Sequence, residues 1–303
     1  MTIPNNPLFS YINSILITVI LCFNFQTSAQ AEQDTINFKV INDYAVFSKA
    51  TYQSKQDIYN ISLQKNYNPT FYHNIPEFDI AYYLLTNDAT RTQIIAVRGT
   101  SNIDNAMVDI ALQLMPDRHT GIDLHDGFAK AALAIYANIR PLIKPDYIIN
   151  TTGHSMGGAI ALILAMHLNI DQYTIGQVVT FGQPKVTNTN GSYKFQNLNV
   201  IRVVTEKDLV PLVPPFDPTN MNLQTIYWHL GQEIILLAGN TYSILDGMNS
   251  MLRATKFTET MLDENNVADH NMDLYLNLTQ QKTDSSRLVP YKNSFNLFNL
   301  FGN

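Results

Sequence analysis

The fold of this chain is decided by residues 146–167, Asp146-Tyr-Ile-Ile-Asn-Thr-Thr-Gly-His-Ser-Met-Gly-Gly-Ala-Ile-Ala-Leu-Ile-Leu-Ala-Met-His167. The first seven residues are rich in β-branched and aromatic side chains, which predicts a strand, and the apolar run 157–167 predicts a buried helix. Between them lies Gly153-His-Ser155-Met-Gly157, the Gly-x-Ser-x-Gly pattern of a nucleophile elbow. Such a turn strains the backbone of its serine, and the flanking glycines leave room for the turn. Ser155 is therefore the candidate nucleophile.

The composition indicates a folded chain with a sizeable core. Of its 303 residues, 46% are hydrophobic and 15% are charged, which excludes a largely disordered protein. The formal net charge of −6 argues against nucleic acid as a partner and against purely electrostatic docking on an anionic lipid surface. No His, Asp and Glu residues have the spacing of metal ligands, so we expect neither a metal nor a cofactor.

Residues 1–31 have the character of a secretory signal peptide. Ile15–Phe23 is an uncharged apolar run too short to span a bilayer comfortably, and Ala29-Gln30-Ala31 is a small-x-small cleavage pattern. The usual basic start is missing, because no Lys or Arg precedes Lys39, and an uncleaved membrane anchor is the alternative. Cleavage after residue 31 would remove Cys22, the single cysteine. A mature chain without disulfides suits secretion or a periplasmic location, including a bacterial one.

Strand and helix patterns alternate over residues 32–282, which we predict to form one domain, followed by a packed or loosely attached tail at 283–303. The alternation predicts an α/β fold, with a mostly parallel central sheet and helices on both faces. Ligands of such sheets bind beyond the carboxyl ends of the strands, where Ser155 is expected. Helices are predicted at Val40–Tyr52, Gly127–Ile143 and Met272–Gln280, and strands at 79–85, 93–98, 177–181 and 200–205.

A serine hydroxyl needs a base to take its proton and an acid to orient that base. After a nucleophile elbow, the acid and then the base follow along the chain. Asp208 is the candidate acid because it follows the strand 200–205 and precedes a proline-rich turn. Nearby, Glu206 is still at the strand exit and Lys207 has the wrong charge. The alternative for Asp208 is a turn residue without a catalytic role.

Two histidines follow the elbow at a useful distance. His229 lies in Tyr227–Leu237, which predicts a strand, and a histidine there is more often a structural partner of a loop carbonyl. His270 lies in a loop before the final predicted helix, where an imidazole can reach over the sheet edge. The pattern therefore favours His270 over His229 as the base. His154 and His167 are too close in sequence to turn back on the serine.

Acyl transfer also needs hydrogen-bond donors aimed at the developing oxyanion. One candidate is the backbone N–H of Met156, the residue after the nucleophile. The other should come from a loop after an earlier strand. Thr100, in Val97-Arg-Gly-Thr100, could offer its N–H and its hydroxyl there, although an ordinary strand-to-loop turn explains the segment equally well.

Together these segments resemble the class 3 lipases, the fungal-lipase-like branch of the α/β-hydrolases. The matching motifs occur in family order over roughly residues 40–276. They are Ala96-Val-Arg-Gly-Thr100, Leu124-His-Asp-Gly-Phe128, Thr152-Gly-His-Ser-Met-Gly-Gly158, Thr180-Phe-Gly-Gln-Pro184, Arg202-Val-Val-Thr-Glu-Lys-Asp208 with Val213-Pro-Pro215, Tyr227-Trp-His-Leu-Gly-Gln-Glu233 and Asp269-His270.

The resemblance implies an α/β-hydrolase fold and a secreted serine lipase or esterase that hydrolyses triacylglycerol-like carboxylic esters through an acyl-enzyme. It implies no cofactor. A phospholipase A1 or a lipid acyltransferase would use the same site, and a non-catalytic lipid- or protein-binding member of the fold is a third hypothesis. The implied roles are nucleophile, acid and base for Ser155, Asp208 and His270, oxyanion donors for Thr100 and Met156, and structural support for His125 and His229.

Residues 101–115 would form the lid of such a lipase, covering the site in water and contacting lipid when open. The apolar side chains of this segment fall at helical spacing, which a plain packed helix would also show. The position that is often Trp in family lids is Ala106, and the chain cannot form the disulfides of secreted fungal members. The candidate lid face consists of Ile103, Ala106, Met107, Ile110 and Leu114.

Overall fold

The computed structural model describes residues 36–100, 114–214, 226–254 and 269–291. The α-helices in these ranges are α1 Phe38–Ala50, α2 Lys55–Gln64, α3 Asp126–Ile139, α4 Met156–Ile170, α5 Thr189–Lys194, α6 Gly247–Ala254 and α7 Met272–Gln280. The strands are β1 Asn68–Ile75, β2 Ile80–Asn87, β3 Thr92–Val97, β4 Leu114–Asp117, β5 Ile122–His125, β6 Ile148–His154, β7 Ile175–Phe181, β8 Thr187–Asn188, β9 Val200–Thr205, β10 Tyr227–Trp228, β11 Gln232–Leu236, β12 Thr241–Leu245 and β13 Arg287–Leu288.

A central sheet has the strand order β1-β2-β3-β6-β7-β9-β11-β12-β13. From β3 to β11 the neighbouring strands are parallel, whereas β1, β2 and β3 pair antiparallel, as do β11 and β12. The predicted mostly parallel sheet is therefore confirmed. A second, antiparallel sheet has the order β10-β8-β5-β4. Its strands contain two to four residues each, which is too short for a periodic pattern to predict.

Adjacent side chains of β6 show that helices cover both faces of the central sheet. The Thr151 hydroxyl donates to the Ala161 carbonyl in α4 at 2.9 Å, whereas the Thr152 hydroxyl lies 2.8 Å from that of Ser48 in α1. Successive strand residues point to opposite faces, so α1 and α4 lie on opposite faces. Residues 157–168 of α4 are buried throughout, which explains why this helix is apolar all round.

Leu114 corrects the lid prediction. It begins β4 and pairs with His125 of β5, so it does not lie on a helical face. The hydrogen bonds between β4 and β5 determine the conformation of Leu114, although the apolar side chains of the segment are spaced as in a helix. The other residues of the candidate lid face, at 103, 106, 107 and 110, lie outside the described residues.

The end of the described chain pairs with the edge of the central sheet. β13 pairs with β12, and the Val289 N–H donates to the Tyr242 carbonyl at 2.9 Å. The side chains of β13 are exposed, so backbone pairing is what attaches this part of the tail. The predicted signal peptide and residues 292–303 lie outside the described residues. None of the described helices is long and apolar enough to cross a membrane.

A cluster of charged side chains is buried at the centre of the sheet. Arg202 in β9, Glu233 in β11 and Arg253 in α6 are each at most 2% exposed. The Glu233 carboxylate lies 3.1 Å from the Arg253 guanidinium and 3.8 Å from that of Arg202. The Ser250 hydroxyl donates to Glu233 and accepts from Arg202. The cluster thus ties α6 to two neighbouring strands.

Replacing Glu233 with Ala should destabilise the fold strongly, because two buried guanidinium groups would lose their carboxylate. We expect the free energy of unfolding in urea to fall by roughly 3–5 kcal/mol. The matched control is Asp146→Ala, which breaks an exposed ion pair with Arg91. Its cost should stay below about 1 kcal/mol. Equal losses in both variants would contradict a stabilising role for the buried cluster.

Candidate active site

Ser155 lies at the turn between β6 and α4 with φ 59° and ψ −134°. A side chain other than glycine adopts such a positive φ only under strain, as the elbow pattern predicts. The flanking glycines are needed, because a Cβ on Gly153 would lie 2.4 Å from the Gly157 carbonyl oxygen. A Cβ on Gly157 would lie 2.3 Å from the Val97 carbonyl oxygen. The Ser155 N–H donates to the Phe181 carbonyl at 2.8 Å, which joins the turn to β7.

Asp208 and His270 form a buried hydrogen-bonded pair. His270 Nδ1 lies 2.7 Å from Asp208 Oδ2, and both side chains are fully buried. Asp208 Oδ1 accepts from the Val210 N–H at 2.8 Å. Because Nδ1 faces a carboxylate, it carries the hydrogen, and Nε2 is the atom left to accept a proton. No described residue forms a hydrogen bond with this buried Nε2.

The Asp208–His270 pair lies at the same edge of the sheet as the serine. Asp208 follows β9, and Ser155 follows the parallel strand β6. The His154 ring stacks on the His270 ring, with centroids 4.5 Å apart and an interplanar angle of 27°. His154 directly precedes Ser155. The stacking therefore places the Asp208–His270 pair next to the elbow, although more than 50 residues separate Ser155 from Asp208 in the sequence.

Tyr275, in the first turns of α7, is a site residue that the sequence analysis missed. Its hydroxyl donates to Asp208 Oδ2 at 2.5 Å and accepts from the Thr205 N–H at 3.3 Å. Burial and the Asp208 carboxylate raise the pKa of Tyr275 well above its ordinary value, so the hydroxyl stays protonated as a donor. The sequence signal that could have identified Tyr275 was its position one turn beyond His270, on the inner face of a predicted helix.

Tyr52, just after α1, also reaches the site and was missed. Its hydroxyl lies 2.9 Å from His154 Nδ1 and accepts from the Gly99 N–H at 3.2 Å. Burial lowers the pKa of His154 well below its ordinary value, and the neighbouring His270 lowers it further. His154 is therefore neutral, and Tyr52 connects it to the loop that follows β3.

The two expected oxyanion donors lie on the elbow and on a loop that packs against it. Met156 begins α4 directly after Ser155, so its N–H belongs to the first turn, whose amides have no intrahelical partner. The loop after β3 packs against the elbow, because a Cβ on Gly99 would lie 3.0 Å from the Ser155 Cβ. Thr100 is the next residue of this loop.

His229 makes the structural contact expected of it. Its Nε2 lies 2.7 Å from the Pro211 carbonyl oxygen. Burial, Arg202 and Lys185 lower the pKa of His229 well below its ordinary value, so the ring is neutral and Nε2 carries the hydrogen. The prediction of one strand over Tyr227–Leu237 is wrong. Gly231, at φ 78°, separates β10 in the small sheet from β11 in the central sheet.

His125 caps α3. Its Nδ1 accepts from the Phe128 N–H at 3.4 Å, and the two rings stack with centroids 3.8 Å apart. In the part of the chain that the structure describes, no group of three or more His, Cys, Asp or Glu side chains is arranged to hold a metal ion.

Part of the chain is similar to known proteins. Residues 94–217 match the family model described as lipase (class 3). This segment therefore resembles the class 3 lipases. The chain is 29% identical over 158 residues to the secreted mono- and diacylglycerol lipase 1 of Fusarium solani, a match covering 49% of this chain and 47% of that enzyme. The chain thus spans about half the length of this relative.

Solved lipase structures share the fold of this chain. The mono- and diacylglycerol lipase of Aspergillus oryzae superposes with a TM-score of 0.63 at 21% identity, over 78% of this chain and 95% of that one. A triacylglycerol lipase described as having a serine protease triad as its catalytic centre superposes with a TM-score of 0.53 at 22% identity, over 67% and 80%. The predicted α/β-hydrolase fold is confirmed. The Fusarium and Aspergillus relatives are fungal, so the expectation of a bacterial source has no support.

Gly182 should be indispensable to the Asp208–His270 hydrogen bond. It has φ 58°, and an added Cβ would lie 2.7 Å from His270 Cε1 and 2.8 Å from Asp208 Oδ2. We expect Gly182→Ala to displace the pair and remove the downfield ¹H NMR resonance of the His270 Nδ1 proton. The matched control is Gly239→Ala, which has φ 63° but no neighbouring atom within 4 Å of the added methyl. The control should keep the resonance, and its persistence in Gly182→Ala would contradict this packing.

The buried neutral His229 should make the fold less stable in mild acid. The folded-state pKa of His229 is depressed, so below pH about 6.5 the unfolded chain binds a proton that the folded chain does not. The unfolding free energy should fall as pH falls, by up to about 1.4 kcal/mol per pH unit for each such histidine. His229→Gln keeps a donor for the Pro211 carbonyl without the titration, so urea melts from pH 7 to 5 should show a shallower slope. Parallel slopes for the two proteins would refute this assignment.

Proposed function

We propose that the chain is a secreted serine lipase or esterase that hydrolyses carboxylic ester bonds of triacylglycerol-like lipids through an acyl-enzyme on Ser155. The observation that carries this proposal is the buried Asp208–His270 pair beside the strained elbow. A base oriented by a carboxylate, with its second ring nitrogen unpaired, is what a serine hydroxyl needs to become a nucleophile.

In this mechanism His270 Nε2 takes the Ser155 proton as the hydroxyl oxygen attacks the ester carbonyl carbon. Asp208 holds the imidazole in the required tautomer and stabilises the imidazolium. The N–H of Met156 and the N–H or hydroxyl of Thr100 donate to the oxyanion that forms. His270 then protonates the leaving alcohol. A water molecule releases the acyl group by the same proton transfers in reverse.

The match to the class 3 lipase model supports ester hydrolysis. The relatives reported above support it too, since they are named as lipases acting on mono-, di- or triacylglycerols. The triad named for one solved lipase supports the roles given to Ser155, Asp208 and His270. Secretion is part of the proposal. The apolar run Ile15–Phe23 with the Ala29–Ala31 pattern supports it, as does the name of the Fusarium relative.

Kinetics on p-nitrophenyl esters test the catalytic assignment. Ser155→Ala and His270→Ala should each lower kcat by about 10⁴-fold or more, because removing either member disables the unit. The control is His73→Ala, which removes an exposed histidine of β1 and should leave kcat unchanged. Activity that survives Ser155→Ala would overturn the nucleophile, and loss in His229→Ala with a fully active His270→Ala would move the base.

Mixed vesicles and emulsions test the substrate class. The proposal predicts fatty-acid release from triacylglycerol and partial glycerides in preference to phospholipid. Release from the first position of phospholipids alone would favour a phospholipase A1. Transfer of the acyl group to a lipid alcohol, in place of hydrolysis, would favour an acyltransferase.

A further inference from the structure

The segment that carries Asp208 is bonded at four consecutive carbonyls by donors from elsewhere in the fold. We call residues 208–214 the acid loop. His229 Nε2 donates to the Pro211 carbonyl at 2.7 Å. Lys185 Nζ donates to the carbonyls of residues 212 and 214 at 2.7 and 2.8 Å, and the Lys185 backbone N–H donates to that of residue 213 at 2.9 Å. One lysine thus binds three successive carbonyls of the acid loop.

The bound carbonyls belong to residues 211–214, which directly follow the residue whose N–H orients Asp208. The Val210 N–H donates to Asp208 Oδ1, and Val210 begins the 3-10 turn Val210–Leu212. Within that turn the Leu212 and Val213 N–H groups donate to the carbonyls of residues 209 and 210 at 2.9 and 3.2 Å. Any shift of the residues that Lys185 binds is therefore transmitted to the N–H that fixes the carboxylate.

Lys185 itself is held firmly. It follows β7 in the turn Phe181-Gly-Gln-Pro-Lys185, where Gly182 packs against the Asp208–His270 pair. The side chain is fully buried and faces the charges of Arg202 and Glu233. Burial lowers the pKa of Lys185 to about 7, and Arg202 lowers it further. An amine has two N–H groups even when neutral, so both side-chain bonds to the acid loop can persist in either protonation state.

We propose that Lys185 and His229 are positioning residues for the reaction, which fix the acid loop so that Asp208 holds His270 in its productive orientation. This inference rests on the proposed function. Neither residue contacts the reacting atoms, and both act through the backbone of residues 210–214. Small displacements of a catalytic group reduce the rate sharply, which makes the acid loop the sensitive element.

Lys282 offers a matched control for a merely structural role. It is 1% exposed, and its Nζ donates to the carbonyls of Leu237, Gly239 and Leu278 at 2.8, 2.8 and 3.1 Å. Burial also lowers the pKa of Lys282, to about 8. Both lysines are thus buried and donate to backbone carbonyls, and of the two only Lys185 binds the acid loop.

The test compares Lys185→Met with Lys282→Met on a soluble ester. Both variants should lose stability to urea, because each leaves buried carbonyls unpaired. Lys185→Met should lower kcat roughly ten- to hundredfold at nearly constant KM. The acid limb of its kcat/KM profile should move to lower pH, because a displaced carboxylate stabilises the imidazolium form less. Lys282→Met should keep the wild-type kcat and profile.

Should Lys185→Met fail to fold, His229→Leu takes its place, since it removes the donor to the Pro211 carbonyl and leaves Lys185. The same fall in kcat and the same shift of the acid limb are expected. A variant of either residue with wild-type kcat and profile, or an equal loss in Lys282→Met, would overturn the positioning role. A wild-type protein that hydrolyses no ester, or whose activity survives Ser155→Ala, would instead overturn the proposed function.

Discussion

The backbone of Ser155 has a strained conformation that the residues around it must hold in place. Its φ of 59° costs on the order of 1–3 kcal/mol and persists only where neighbouring contacts enforce it. The buried helix α4, the Phe181 carbonyl and the end of β3 supply those contacts. The close approach of the Val97 carbonyl to Gly157 leaves no space for a side chain at this crossing. The strain at Ser155 thus results from the tight packing of a strand, a turn and a helix. This packing presents the Ser155 hydroxyl.

The second requirement is a buried carboxylate that stays fully hydrogen-bonded. Asp208 accepts from a backbone N–H, from His270 and from Tyr275. Burial of a carboxylate is costly unless such donors replace water. The donors are the Val210 N–H of the acid loop, His270 just before α7 and Tyr275 within α7. Lys185 in turn binds the acid loop. The orientation of the His270 imidazole therefore depends on several elements at the carboxyl edge of the sheet, and not on the Asp208–His270 hydrogen bond alone.

Sequence alone predicted the parts of this arrangement that local pattern determines. The strand-turn-helix around Ser155, the bounds of α7 and the strands β2 and β3 follow from periodicity and glycine placement. Chain order and the proline-rich turn were sufficient to favour Asp208 and His270. Periodicity was misleading at Leu114, because apolar residues at helical spacing also fit a short strand whose hairpin partner decides the outcome.

The remaining members of the site depend on contacts between residues far apart in sequence. Tyr275 is 67 residues from Asp208, and Tyr52 is 102 residues from His154. No local pattern marks a tyrosine as a donor to a distant carboxylate, and nothing in the turn after β7 marks Lys185 as a ligand of three carbonyls. The proposed mechanism depends above all on Ser155 as the nucleophile. Mass spectrometry of tryptic peptides after reaction with a fluorophosphonate identifies the nucleophile. We expect a stoichiometric adduct on Ser155, and an active enzyme that carries the adduct on another residue would refute this role.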